Sequence, residues 1–146
     1  MDFEFQALIH RPVGQVFGFL RDIEQHAGKP GSVVPVYDKL TPGPPAVGTQ
    51  YREVVQVPPF WRVEIITEIT SYQENRLLAY AFTFSGGLMT GELTYLFETR
   101  DGGTHVIQRQ RVIPKGALKL FNPVIHLMFG WAASHRLKEI KELIER

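Results

Sequence analysis

The sequence contains no cysteine. Disulfides, thiolate metal sites and cysteine nucleophiles are thereby excluded, and the absence fits a reducing compartment. Charge of one sign is also missing. The formal net charge is +1, so there is no electrostatic footprint for a nucleic acid or an acidic partner. No run of about 18 apolar residues occurs, so no transmembrane helix is predicted. The opening MDFEFQALIH alternates and has no apolar block, which argues against a signal peptide and for a cytoplasmic protein.

Reactive motifs are equally scarce. His126 and His135 stand nine positions apart, about 2.5 helical turns, and so face opposite sides of any helix. His10, His26 and His105 fall on or beside other segments, so no metal site is expected. Ser32, Ser71, Ser85 and Ser134 lack the strand-to-helix context of a nucleophile elbow. Neither a phosphate-binding loop nor a GxGxxG is present, and no cofactor is expected.

What the chain does have is apolar bulk. It has 146 residues, 44% hydrophobic and 12% aromatic, enough for one domain over residues 1–146 with its own core. Phe3, Phe5, Ala7 and Ile9 alternate with polar residues as in a half-buried strand. Pro12 suits the first turn of a helix, and Val13, Val16, Phe17, Leu20 and Ile23 continue it at helical spacing. Gly14 and Gly18 weaken that helix by roughly 1 kcal/mol each, or else let it approach a sheet closely. VYDKL is a short strand candidate, and TPGPPAVG at Thr41–Gly48 reads as a turn.

From Thr49 to Lys115 strand follows strand, with breaks at Pro58-Pro59, SYQEN, Gly86-Gly87 and the hairpin signal Arg100-Asp101-Gly102-Gly103. Such short connections make the sheet an antiparallel meander. A long helix from about Leu118 to Arg146 closes the chain, interrupted near Asn122-Pro123. Ile125, Met128, Phe129, Ala132, Ala133, Leu137, Ile140 and Ile144 form its apolar stripe. Leu120, Phe121, Val124, Leu127 and Trp131 add a second apolar face, which predicts cover on more than one side. That cover is the cavity, a second copy of the chain in a homodimer, or a membrane surface.

This order of parts predicts an α+β architecture in which a twisted sheet curls around the last helix. The first strand, HRPVGQVFGFLRDIEQH after it, the meander with its DGGTHV hairpin and the C-terminal helix together resemble the START/Bet v 1-like (SRPBCC) superfamily. The nearest branch is that of polyketide cyclases/dehydrases and lipid-transport proteins. GKPGS stands just after the first helix where the family usually has an aromatic residue. The resemblance implies a helix-grip fold: a curved antiparallel sheet of six to seven strands around a long C-terminal helix, with one or two short helices after strand 1. It also implies a hydrophobic cavity between sheet and helix.

The strand HVIQRQRVI raises the question of what two glutamines do on a covered face. Alternation sends Arg109 and Arg111 outward and Gln108 and Gln110 inward. Unsatisfied in a packed core, each buried polar group would cost about 1–3 kcal/mol. In an apolar cavity, a few such groups orient a ligand. The alternative is that they lie near the open sheet edge and reach water. The inward faces supply the predicted ligand contacts: Tyr51, Glu53, Trp61, Tyr80, Phe82, Phe84, Tyr95, Gln108 and Gln110, with Met128 from the helix. Binding of a small hydrophobic molecule (lipid, acyl chain or aromatic polyketide-like compound) is the first expectation. The second is a cyclase, aromatase or dehydratase with Glu53 as base and Tyr80, Tyr95 and Gln110 as hydrogen-bonding partners. The third is a protein-interaction module using Leu120–Trp131.

Overall fold

The computed structural model describes residues 1–57 and 61–146, with the backbone alone for Val57 and Trp61. Its elements follow the expected order. Strand β1 (Asp2–Ile9) leads into helix α1 (Val13–Arg21) and a short 3-10 turn, Ile23–Gln25. Then come β2 (Val36–Lys39), β3 (Gln50–Val57), β4 (Trp61–Gln73), β5 (Leu77–Phe84), β6 (Met89–Arg100) and β7 (Gly103–Pro114). A 3-10 segment, Gly116–Phe121, precedes the long helix α2 (Asn122–Glu145). The seven strands form one antiparallel sheet in the order β1-β7-β6-β5-β4-β3-β2. This is the helix-grip arrangement.

Turn chemistry sets the register. Asp101 and Gly102 both adopt positive φ, 51° and 75°, which suits the twist of a two-residue hairpin between β6 and β7. The pairing places Gln108 between Phe5 and Tyr95, and Gln110 between Phe3 and Leu93. Towards the other edge of the sheet, Glu53 lies between Tyr37 and Ile65, and Thr67 between Tyr51 and Phe82. Phe82 in turn faces Gly91. A side chain at Gly91 would collide with the Arg111 carbonyl and come within 2.5 Å of Phe82 Cζ. The missing Cβ therefore makes room for the Phe82 ring.

β4 runs further than the sequence suggests: SYQEN reads as a turn, but the strand continues to Gln73. Its register shifts between Ile69 and Ser71, leaving Thr70 as an extra residue. Such a bulge reverses which alternate side chains face inward. Ile69 is fully buried, and after the bulge Tyr72 lies edge-on to Phe17 of α1, 5.5 Å between centroids at 86°.

The concave face is covered in two parts. α1 sits over one end, where Val16, Phe17, Ile69, Leu78 and Val106 have no exposed surface and Phe17 meets Phe97 at 5.3 Å. Gly14 and Gly18 do not mediate this approach: a Cβ at Gly14 would meet nothing within 4 Å, and one at Gly18 only the Arg21 side chain. α2 covers the rest. Its N-terminal half lies over β1 and β5, with Phe129 5.4 Å from Phe84 and His126 4.8 Å from Phe3. Its C-terminal end is clamped to β1: Lys141 Nζ donates to Leu8 O (2.6 Å), the His10 N–H to Glu145 Oε2 (2.9 Å), and Arg11 Nη2 to Glu145 O (2.6 Å). Of the three i,i+4 ion pairs the charge spacing suggests near the end of this helix, the described residues form only Lys141–Glu145, at 2.8 Å.

The second apolar face of the helix is not covered by the described residues. Leu120 is 82% exposed and Leu127 73%; Phe121 and Val124 are also open. The expectation that they wall the cavity is corrected: none of the four lines it, and Val124 and Leu127 lie on the face of α2 away from its buried stripe. Trp131 is half-buried and stacks on His135 at 4.1 Å.

Candidate ligand cavity

A cavity of about 90 Å³ lies between the sheet and the N-terminal half of α2. A cavity of about 150 Å³ is enough for a benzene ring, so this interior is hollow but narrow. Its walls are mostly apolar: Val55, Val63 and Ile65 from β3 and β4, Phe82 and Phe84 from β5, Ile125, Met128 and Phe129 from α2. Met89 and Met128 bring unbranched, adaptable side chains. Among the described residues, polar groups enter at five places: Glu53, Thr67, Gln108, Gln110 and Arg136.

Arg136 organises these groups. It follows Ala132 by one helical turn and precedes Ile140 by another, so it rides on the buried stripe of α2. Its Nη1 donates to Glu53 Oε1 at 2.9 Å, with the two side chains 16% and 3% exposed. Its guanidinium also lies 5.7 Å from the centre of the Tyr37 ring, within cation–π range. Burial works against the Arg136 charge, but Glu53 and the surrounding tyrosines outweigh it, and its pKa moves up rather than down. Glu53 is therefore neither at the rim nor solvated.

Gln108 supplies a second tie. Its side chain is 1% exposed, and Nε2 donates to Ala133 O at 3.3 Å. Ala133 and Arg136 are three residues apart on α2. The helix is thus held from β7 on one side and from β3 on the other, across the hollow. Among the described residues Gln108 Oε1 has no partner, nor do Thr67 Oγ1, Tyr95 Oη and Tyr51 Oη, although all four are buried. Gln110 is half-buried and lies on the cavity wall, so it reaches the interior from a position closer to the sheet margin than Gln108.

The structure divides the predicted contact residues. Glu53, Phe82, Phe84, Gln108, Gln110 and Met128 line the cavity. Tyr80 and Tyr95 do not: they border a separate pocket of about 10 Å³ towards α1, shared with Glu53, Thr67 and Arg136. Tyr51 packs between the rings of Tyr37 and Tyr80 at 5.4 and 6.5 Å and lines neither space. The Trp61 side chain lies outside the described residues. Burial raises the pKa of Tyr80 and Tyr95 above the ordinary phenol value, so both stay neutral O–H groups at physiological pH. Sequence reasoning misses Arg136 and Thr67 as site residues. Among the described residues, no group of histidines and carboxylates could hold a metal ion, and no helix is long and apolar enough to cross a membrane.

Beside the cavity, a surface groove of about 250 Å³ runs between the loop before β2 and the C-terminal half of α2, and Val34 and Arg136 border both spaces. The loop is fastened by Glu139, whose carboxylate accepts from Ser32 Oγ (2.8 Å) and from the Val33 N–H (3.1 Å).

The sequence model of the family described as polyketide cyclase / dehydrase and lipid transport matches residues 1–145. The chain belongs to that family. No curated protein matches the sequence. Solved structures share the fold of this family member. A protein from Thermus thermophilus is 18% identical, with 99% of this chain and 97% of that chain covered and a TM-score of 0.79. A Chromobacterium violaceum protein is 16% identical over 100% and 99% of the two chains, at a TM-score of 0.72. Ara h 8.0201 is 15% identical over 99% and 95%, at 0.68, which places the family member among Bet v 1-like folds.

Proposed function

We propose that the protein binds a small hydrophobic molecule in the cavity between its sheet and α2. One observation carries the reading: an apolar cavity whose few polar groups include buried atoms with no partner among the described residues. A folded interior tolerates such atoms poorly unless something else satisfies them. Met89 and Met128 can re-pack to widen the hollow around an occupant. Membership of a family whose description includes lipid transport supports the same reading.

A cyclase or dehydratase activity in the same cavity is the second reading, supported by the inward position of Glu53 and by the family description. Among the described cavity-lining residues only Glu53 and Arg136 ionise, and they are bonded to each other. That favours holding a ligand over moving protons.

The test uses N-phenyl-1-naphthylamine, a neutral apolar fluorophore, together with native mass spectrometry of the purified protein. Saturable, blue-shifted emission at one probe per chain is expected, weakened in Ala132→Leu, which narrows the wall. No probe uptake and no co-purified apolar molecule would refute the proposal.

A further inference from the structure

The geometry points to a ligand with a neutral, hydroxyl-type head on an apolar body, placed with its head at the Glu53–Arg136 pair, and to rejection of carboxylates. This rests on the binding function proposed above and specifies its ligand class.

The charge of the deep wall decides it. Glu53 and Arg136 cancel one another, so the empty wall is neutral. A carboxylate arriving there would bring a second negative charge to a single guanidinium and leave one buried charge uncompensated, which is costly in an apolar surrounding. A hydroxyl adds no charge. It can also use both kinds of site the wall leaves open. An acceptor is available in Glu53, whose bond from Arg136 reaches Oε1 alone. Donors are available in Arg136, which spends one N–H on Glu53 out of five, and in the unpartnered Thr67 hydroxyl. One O–H group that donates to an acceptor and accepts from a donor matches this pattern. A bare hydrocarbon would leave both sets unsatisfied.

The experiment compares three molecules of one shape: 4-ethylphenol, ethylbenzene and 4-ethylbenzoate. Affinities come from amide and side-chain NMR shifts of labelled protein, which also locate each ligand through the Arg136 guanidinium Nε–H. The phenol should bind about tenfold more tightly than either of the others, one well-made hydrogen-bond set. In Glu53→Gln the guanidinium is left unbalanced, and the order should invert in favour of the benzoate. If that variant fails to fold, Glu53→Gln/Arg136→Met keeps the volume without the charges: the phenol and ethylbenzene should then bind within about threefold of one another, and the benzoate, left with no guanidinium, should stay the weakest of the three. Equal affinities in the native protein, or a preference for the benzoate, would overturn the assignment while leaving hydrophobic binding intact. If none of the three binds and N-phenyl-1-naphthylamine is also refused, the binding function itself falls.

Discussion

Glu53 and Arg136 stand 83 positions apart in sequence and 2.9 Å apart in space, and their contact joins β3 to α2 on the buried wall of the hollow. A buried ion pair of this kind contributes little relative to a matched apolar pair, but losing one partner is expensive. Arg136→Met alone should therefore lower unfolding free energy by about 3 kcal/mol, and Glu53→Gln/Arg136→Met by clearly less than the sum of its single changes. Urea denaturation of the four proteins checks it. Strict additivity would show that the two side chains do not interact in solution.

Two glycines should respond in opposite directions. Gly14 is helical and exposed, and an added methyl would meet nothing. Gly14→Ala should stabilise the protein by about 0.5–1 kcal/mol. Gly91→Ala should destabilise it by about 3 kcal/mol or more, because the Phe82 ring and the Arg111 carbonyl occupy the space. Thermal melts read both.

The pH dependence carries a contribution from the clamp at the end of α2. The Lys141 ammonium, then the His10 N–H, hold the Glu145 carboxyl below its ordinary value of 4.5. A depressed carboxyl stabilises the fold above its unfolded pKa and loses that contribution as pH falls through the folded value. The native protein should therefore lose stability from about the ordinary value downward, and Glu145→Gln should flatten that slope while already being less stable at pH 7. An unchanged acid limb in the variant would show that the clamp contributes nothing.

The open apolar residues at the start of α2 should matter little to folding. Leu120→Ser and Leu127→Ser ought to change unfolding free energy by no more than about 0.5 kcal/mol, as for most exposed positions. A loss of 2 kcal/mol or more, measured in dilute protein, would mean that these side chains are covered.

Much of the fold is readable because one face of each strand is consistently apolar. Alternation puts Glu53, Phe82, Phe84, Gln108 and Gln110 on the inner surface, where the structure has them. Alternation says nothing about which helix lies above a given residue. Tyr80 and Tyr95 face inward too, yet they sit towards α1, beside a smaller pocket, and Tyr51 is locked between two other rings. Arg136 escapes a sequence reading because an arginine reads as surface. Its spacing from Ala132, Ala133 and Ile140 is the available signal, since all four share a helix face. The uncovered Leu120 and Leu127 have no signal of their own: apolar character shows that a residue can be buried, not that a partner exists within the chain.

Thr70 leaves a final consequence. By standing out of the ladder, it lets a single strand serve two clients, furnishing Ile65 and Thr67 to the hollow and Tyr72 to the solid packing around Phe17. Were the same residues ironed flat, the strand beyond would roll over: Ser71 would be driven beneath the Phe17 ring while Tyr72 was turned out into solvent. Excising the threonine altogether would leave both facings as they are and take away only the kink. The parity of one residue thus joins the part of this molecule that is filled to the part that is left open.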